Sequence, residues 1–200
     1  MNTLDAIRAR RAVKHYDPAF TIPKEELEQL IDLAMQSPSS FNIQHWRLVN
    51  VTDPAIRTQL RAAAHDQAQV TDSSLLFVVC TDLKAWEKDP QRYWVNAPKE
   101  AQDILVPWIN PFYAGNEQLQ RDEAMRSVGI LLQTMMLSAK AMGYDSCPMI
   151  GFDSDKVGQI IKLPKDYAVG AMLVIGKGIK SAWPKPGFIS KAEMVIENHF

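Results

Sequence analysis

Apolar positions return every three or four residues at Leu27, Leu30, Ile31 and Ala34, which predicts an amphipathic helix running to Ser37-Pro38. Pro23 lies at a first-turn position of that helix, and Glu25 and Glu26 suit the positive end of its dipole. Ahead of it, Leu4 to Arg11 reads as a short helix ending in a basic cluster. The segment Lys14-His15-Tyr16-Asp17-Pro18 then breaks it, because a residue before proline avoids the helical region. Asp53-Pro54 opens a second amphipathic helix through Ala64, after a strand at Arg47 to Val51. Leu75 to Cys80 is a continuous apolar run of the kind expected of an interior strand.

Glu117 to Met142 is the longest predicted helix, and Val128, Ile130, Leu131, Leu132, Met135, Met136 and Leu137 make it apolar almost all round. Such a helix needs cover on every side, and a second subunit is the simplest source. Gly143 is a C′ glycine, Tyr144 to Pro148 begins a strand, Asp153 to Leu163 is a helix capped by Asp or Ser, and Ala168 to Gly176 is a last apolar strand. The tail after Gly178, with Pro184, Lys185, Pro186 and Gly187, is extended and forms no helix before Ser190. The pattern is that of a sheet covered by helices.

Residues 84 to 115 fit neither period. Trp86, Tyr93, Trp94, Trp108, Phe112 and Tyr113 are scattered among Lys, Asp, Pro and Asn, which reads as an irregular lid or pocket wall; the alternative is two short surface helices anchored by aromatics. No repeat, low-complexity tract or linker interrupts the chain, so residues 1–200 are expected to form one domain, with 84–115 as its lid excursion and 179–200 as its extended C-terminal tail.

A composition of 46% hydrophobic and 22% charged residues excludes a disordered or fibrous chain. The 22 Lys and Arg nearly cancel the 23 Asp and Glu, so no global field recruits nucleic acid or anionic lipid and any phosphate site must be local. The N-terminus lacks the apolar stretch of a secretory signal, and no apolar run reaches the roughly 18 to 20 residues of a membrane span. Cys80 and Cys147 form no short-spaced motif and read as buried thiols, which fits a cytoplasmic location.

Several familiar motifs are absent. Gly176-Lys177-Gly178 is not a P-loop, and no G-x-G-x-x-G or G-x-S-x-G occurs. Histidines 15, 45, 65 and 199 form no metal-ligand spacing, so no metal is expected. Two polar constellations remain. Arg8, Arg10, Arg11 and Lys14 concentrate positive charge in seven residues; guanidinium groups suit phosphate and carbonyl oxygens, although a solvated basic face reads the same way. Ser39, Ser40, Asn42 and Gln44 offer alternating hydroxyl and amide groups that could grip a polar heterocycle and its polyol chain, or simply cap a turn.

Taken in order, Arg10-Arg11-Ala12-Val13-Lys14-His15-Tyr16, then Ser37-Pro38-Ser39-Ser40-Phe41-Asn42-Ile43-Gln44-His45-Trp46, then Pro148-Met149-Ile150-Gly151-Phe152-Asp153 resemble the nitroreductase family of FMN enzymes. The resemblance implies an α+β fold, a three-layer α/β/α sandwich with a mixed central sheet, built as an intertwined homodimer with FMN at the subunit interface. Arg10, Arg11 and Lys14 match positions that hold the flavin phosphate, ribityl chain and N1/O2 edge, and Ala12 could help only through its backbone. Pro38, Ser39, Ser40 and Asn42 would come from the other subunit, with Gln44 nearby. Gln69 matches a flavin-ring contact, and Met149, Ile150 and Gly151 match the backbone segment facing flavin N5. Lys185 resembles the tail cation of the phosphate site. His45 replaces the usual proline and Phe188 a frequent arginine.

The implied activity is ping-pong hydride transfer from NADPH or NADH, through flavin N5, to a small electron-poor acceptor such as a nitroaromatic, quinone or enone. It needs positioning and electrostatics rather than an obligatory catalytic side chain. Phe41, Trp94, Trp108 and Phe112 are the expected substrate-pocket residues. Because a scaffold fixes cofactor more firmly than chemistry, a flavin-storing or flavin-consuming protein and a dehalogenase-like reductase stay as alternatives.

Overall fold

The computed structural model describes all of residues 1–200. In chain order the elements are α1 (Thr3–Ala9), α2 (Lys24–Met35), β1 (Trp46–Asn50), α3 (Pro54–Ala63), α4 (Gln69–Asp72), β2 (Leu75–Asp82), α5 (Lys99–Tyr113), α6 (Glu117–Ala141), β3 (Asp145–Met149), α7 (Ser154–Ile160), β4 (Tyr167–Gly176) and α8 (Lys191–Met194). Caps explain several of the boundaries. Asn2, Asp53, Asn116, Asp153 and Ser190 each accept a backbone N–H in the first turn of the helix they precede. Gly143, at φ 94°, closes α6: its N–H donates to Lys140 O at 3.1 Å and the Tyr144 N–H to Ala139 O at 2.8 Å, a Schellman turn that feeds β3.

The strands lie in the order β1-β2-β4-β3, all paired antiparallel. Helices cover both faces, which is the three-layer sandwich, and β2 shows why. Leu75, Phe77 and Val79 point into a core with Leu30 and Ala34 of α2 and Leu131, Met135 and Met136 of α6. Leu76, Val78 and Cys80 point the other way, into a core with Leu60 and Ala63 of α3, Val70 of α4 and Val157 of α7. A strand buried on both faces has no polar side to show, hence the unbroken apolar run. The mixed character expected of the sheet is limited within the chain to one isolated parallel bridge, Ala12 with Ser146. Gly170 sits at the register shift opposite Val79 and Cys80; a Cβ there would lie 2.8 Å from Val128 Cγ1, so glycine lets α6 pack directly on the sheet.

Three expectations change. Residues 84 to 115 are not irregular throughout: they contain the 15-residue α5 and a 3-10 turn at Pro90–Tyr93. Pro107 and Pro111 inside α5 each lack the N–H that an uninterrupted helix needs, which disguised it in the sequence. α1 stops at Ala9, so Arg10 and Arg11 lie beyond the helix rather than in its last turn. α6 is more polar than its apolar run suggests, since Arg126 and Gln133 are exposed and Gln120 and Ser127 are buried, while Ile130 is left as an exposed apolar position. Residues 181–190 carry no regular structure, and α8 begins only after Ser190, as the prolines require. No helix is long and apolar enough to cross a membrane.

Candidate cofactor and substrate site

Residues 10 to 17 leave α1 as extended chain. Val13 donates its N–H to Ser146 O at 3.1 Å, and Val13 and Tyr16 are buried, which pins the segment against β3 and turns Ala12, Lys14 and His15 outward. The chain leaving β4 runs alongside: the Asp17 N–H donates to Lys177 O at 2.9 Å, the Ile179 N–H to His15 O at 3.0 Å, and Tyr16 bridges Gly178. These contacts enclose a cavity of about 500 Å³ lined by Arg10, Arg11, Ala12, Lys14 and His15 on one side and Lys180 to Pro186 on the other.

Five of the residues lining that cavity, Arg10, Arg11, Lys14, Lys180 and Lys185, are cations and none is acidic. None of the five is paired with a carboxylate, whereas Arg8 pairs with Asp5 and Asp145 on the adjoining strand is held by Lys140 at 2.9 Å. Arg11 donates instead to the Arg8 and Arg10 carbonyls, both at 2.7 Å, and Lys185 Nζ lies 4.6 Å from the Phe188 ring centroid. Unpaired like charges gathered round one hollow repel one another, so the arrangement favours an anion.

At the far end of β3, Ile150 is 83% exposed and Gly151 is also exposed. Neither of their N–H groups finds an acceptor among the chain's loops and turns. Gln67 Nε2 donates to Gly151 O at 3.0 Å and holds this segment. Gln69 lies beneath it, only 4% exposed, with its amide engaged by Gln67 Oε1 at 2.9 Å and close to Met149 Sδ. Gln69, the first residue of α4, is thus buried with its amide turned to Gln67 and Met149, and the half-buried Gln67, unmarked in the sequence, is the more accessible of the two. Met149 is buried, so only its backbone is available.

The second polar constellation sits elsewhere. Phe41, Asn42 and Gln44 all adopt positive φ, at 48°, 54° and 51°, a rare concentration of left-handed non-glycine residues. Several contacts hold this strained loop: Ser39 Oγ accepts the Gln44 N–H at 2.9 Å, Arg47 Nη1 donates to Gln44 O at 2.9 Å, and Asn42 Nδ2 donates to Tyr93 O at 2.8 Å. Pro38 and Asn42 are exposed, Ser39, Ser40 and Gln44 half-buried. Phe41 packs edge-on against Phe112 at 5.4 Å, joining the loop to α5; Trp94 is half-buried and Trp108 and Phe112 are exposed. Below lies a small core of Ile43, Ala85, Trp86, Ile109 and Tyr113. His45, fully buried behind the loop, approaches Ser127 Oγ with Nδ1 at 3.2 Å, and burial holds its pKa down to about 4.

The structure thus assembles Arg10, Arg11, Ala12, Lys14 and Lys185 round one cavity, and separately joins residues 38–44 to Phe112. No hydrogen bond or ion pair links the two groups within the chain. Lys180 and Trp183 also line the cavity and were missed, and His15, though inside the first motif, was given no role; the pairing of residues 15–17 with 177–179 brings the three together.

The nitroreductase family model matches residues 7–177. Protein DrgA of Synechocystis is 54% identical over 91% of this chain and 87% of its own length. An oxygen-insensitive NADPH nitroreductase of Helicobacter acinonychis is 28% identical over 90% of this chain and 89% of its own. Among solved structures, an Exiguobacterium sibiricum protein described as a nitroreductase in complex with FMN superposes with a TM-score of 0.90 at 27% identity, covering 98% of this chain and 97% of that one. With most of its length matched by the family model, and with the fold shared end to end, the chain belongs to the nitroreductase family.

Proposed function

We propose that the protein is an FMN-dependent oxidoreductase that takes hydride from NADPH or NADH and passes it to a small electron-poor acceptor. The observation that carries this reading is the cavity of unpaired cations beside β3, with the exposed Ile150-Gly151 backbone at the other end of the same strand. A phosphate, a polyol and a planar ring make different demands, and the residues present meet each. Arg10, Lys14 and Lys185 would hold the phosphate and the N1/O2 edge by charge-assisted hydrogen bonds. The free N–H groups of Ile150 and Gly151 would donate to the ring edge. The family assignment and the FMN-bound relative support the same cofactor.

When bound, FMN supplies a two-electron carrier whose N5 accepts and returns hydride. The chain's own residues do the rest. A cation of Arg10, Arg11 or Lys14 held at the ring's N1/O2 edge would offset negative charge there without having to reorganise. The strained loop at Phe41 to Gln44 and the half-exposed aromatics of α5 wall the space in which reductant and acceptor would take turns, so the 84–115 segment serves as the acceptor-selecting lid. Because the loop and the basic cavity are not joined within one chain, the complete site is proposed to form in a homodimer, one subunit giving the cations and its partner the loop.

The test is steady-state oxidation of NADPH at several fixed concentrations of a quinone. Parallel double-reciprocal lines, as two reactants sharing one pocket require, are expected; FMN-loaded protein that oxidises neither nucleotide with quinones, nitroaromatics or enones would overturn the reading.

A further inference from the structure

The cavity holds more positive charge than the flavin phosphate balances. A phosphate monoester carries about −1.5 to −2 near neutral pH, against the five unpaired cations of the lining. Arg10, Arg11, Lys14 and Lys185 already match the flavin-holding positions. Lys180 is left over. It is not a stray tail lysine: the Tyr16–Gly178 bridge and the Ile179 N–H bond to His15 O, at 3.0 Å, fix the backbone immediately before it against the basic segment. Lys180 is exposed, makes no ion pair or hydrogen bond, and lines the cavity with His15 and Trp183.

We propose that Lys180, backed by His15, is an anchor for the 2′-phosphate of the reductant, and that the enzyme therefore prefers NADPH to NADH. This rests on the reading that the cavity takes the flavin phosphate. The two nucleotides differ only by that phosphate, so uncompensated positive charge at the rim discriminates between them, and the discrimination weakens as salt screens it. The chain as a whole carries a formal net charge of −1, so the effect must come from this local cluster rather than from a global field.

The experiment compares the flavin-loaded wild type with Lys180→Gln and Lys180→Glu. It reads three quantities: kcat/KM for NADPH and for NADH with one fixed quinone at low and at physiological ionic strength, bound FMN by absorbance, and calorimetric binding of adenosine 2′,5′-bisphosphate against AMP. Wild type is expected to favour NADPH about tenfold at low salt and less at high salt. Lys180→Gln should cut that ratio several-fold while retaining FMN, Lys180→Glu should cut it further, and the bisphosphate should bind wild type more tightly than AMP by a margin the variants lose. Equal use of the two nucleotides, equal binding of the two adenosine probes, or loss of FMN in Lys180→Gln would overturn the proposal; the last outcome would place Lys180 in the flavin phosphate site. Failure of the underlying reading looks different, since wild type would then bind no FMN or be reduced by neither nucleotide.

Discussion

Arg8 and Arg10 stand two residues apart and have opposite fates: Arg8 is on α1 and paired with Asp5, while Arg10 lies past the helix end, unpaired, at the cavity. A hydrogen bond to a charged group contributes about 1.5 to 3 kcal/mol, or roughly ten- to a hundredfold in affinity. Arg10→Ala should weaken FMN binding by that factor and Arg8→Ala should leave it unchanged, as measured by titrating apoprotein with FMN and following its fluorescence. His45 carries a second residue-scale prediction. Burial lowers its pKa from 6.5 to about 4, with the Asp82 carboxylate opposing the shift and Arg47 adding to it. Between those two values the unfolded chain binds a proton that the folded chain refuses, so stability falls as pH drops from about 6.5 towards 4, by roughly 3 kcal/mol in all. Urea midpoints at pH 7, 5.5 and 4.5 should show the decline in wild type and a shallower one in His45→Gln; equal slopes would remove His45 as the cause. The contiguous cations were legible in the sequence because their spacing is local. Lys180 and Gln67 were not, because each reaches its place through long-range contacts, Lys180 through the pairing with residues 15 and 16 and Gln67 through Gly151.

Elements buried on both faces or capped by clear signals were also legible. β2 and β4 announce themselves as apolar runs, and α2, α3 and α7 by period and cap. α5 was hidden because Pro107 and Pro111 break the pattern that a 15-residue helix normally shows. Its partner, the loop at Phe41 to Gln44, could be marked as polar and site-like, but the left-handed backbone of Phe41, Asn42 and Gln44 was not legible, because none of them is a glycine. The two elements meet at Phe41 and Phe112, so Phe112→Ala should change the ratio of kcat/KM between a small quinone and a bulky nitroaromatic by several-fold with little loss of FMN; equal loss of flavin and of both activities would show α5 to be scaffold only. Where α6 crosses the sheet, Gly170→Ala forces Val128 away from the strand and should cost about 1 to 3 kcal/mol, read as a lower urea midpoint with FMN still bound.

At the scale of the whole molecule the tail is the telling feature. Trp183 and Phe188 are more than 80% exposed, and Ile189, Met194, Val195, Ile196 and Phe200 are exposed as well, so an apolar strip has no cover within its own chain. Leu4 and Ile7 of α1 and Ile130 of α6 add to the uncovered surface. A second copy of the chain is the proposed cover, and light scattering should give twice the 22.5 kDa chain mass. Truncation after Gly178 removes the strip together with Lys185, and should lower both that mass and the FMN content. The three motifs in order were enough to read the family from the sequence, whereas the separation of the basic cavity from the polar loop emerged only from the fold. The proposed flavin site joins the unpaired cations Arg10, Arg11, Lys14 and Lys185 to the loop at Phe41 to Gln44. Its most direct test is the visible spectrum of the purified protein, before and after anaerobic NADPH. A yellow flavin absorption that bleaches with the nucleotide and returns on adding a quinone is the predicted result; a colourless protein that takes up no added FMN would contradict it and return Arg10, Lys14 and Lys185 to a solvated basic face.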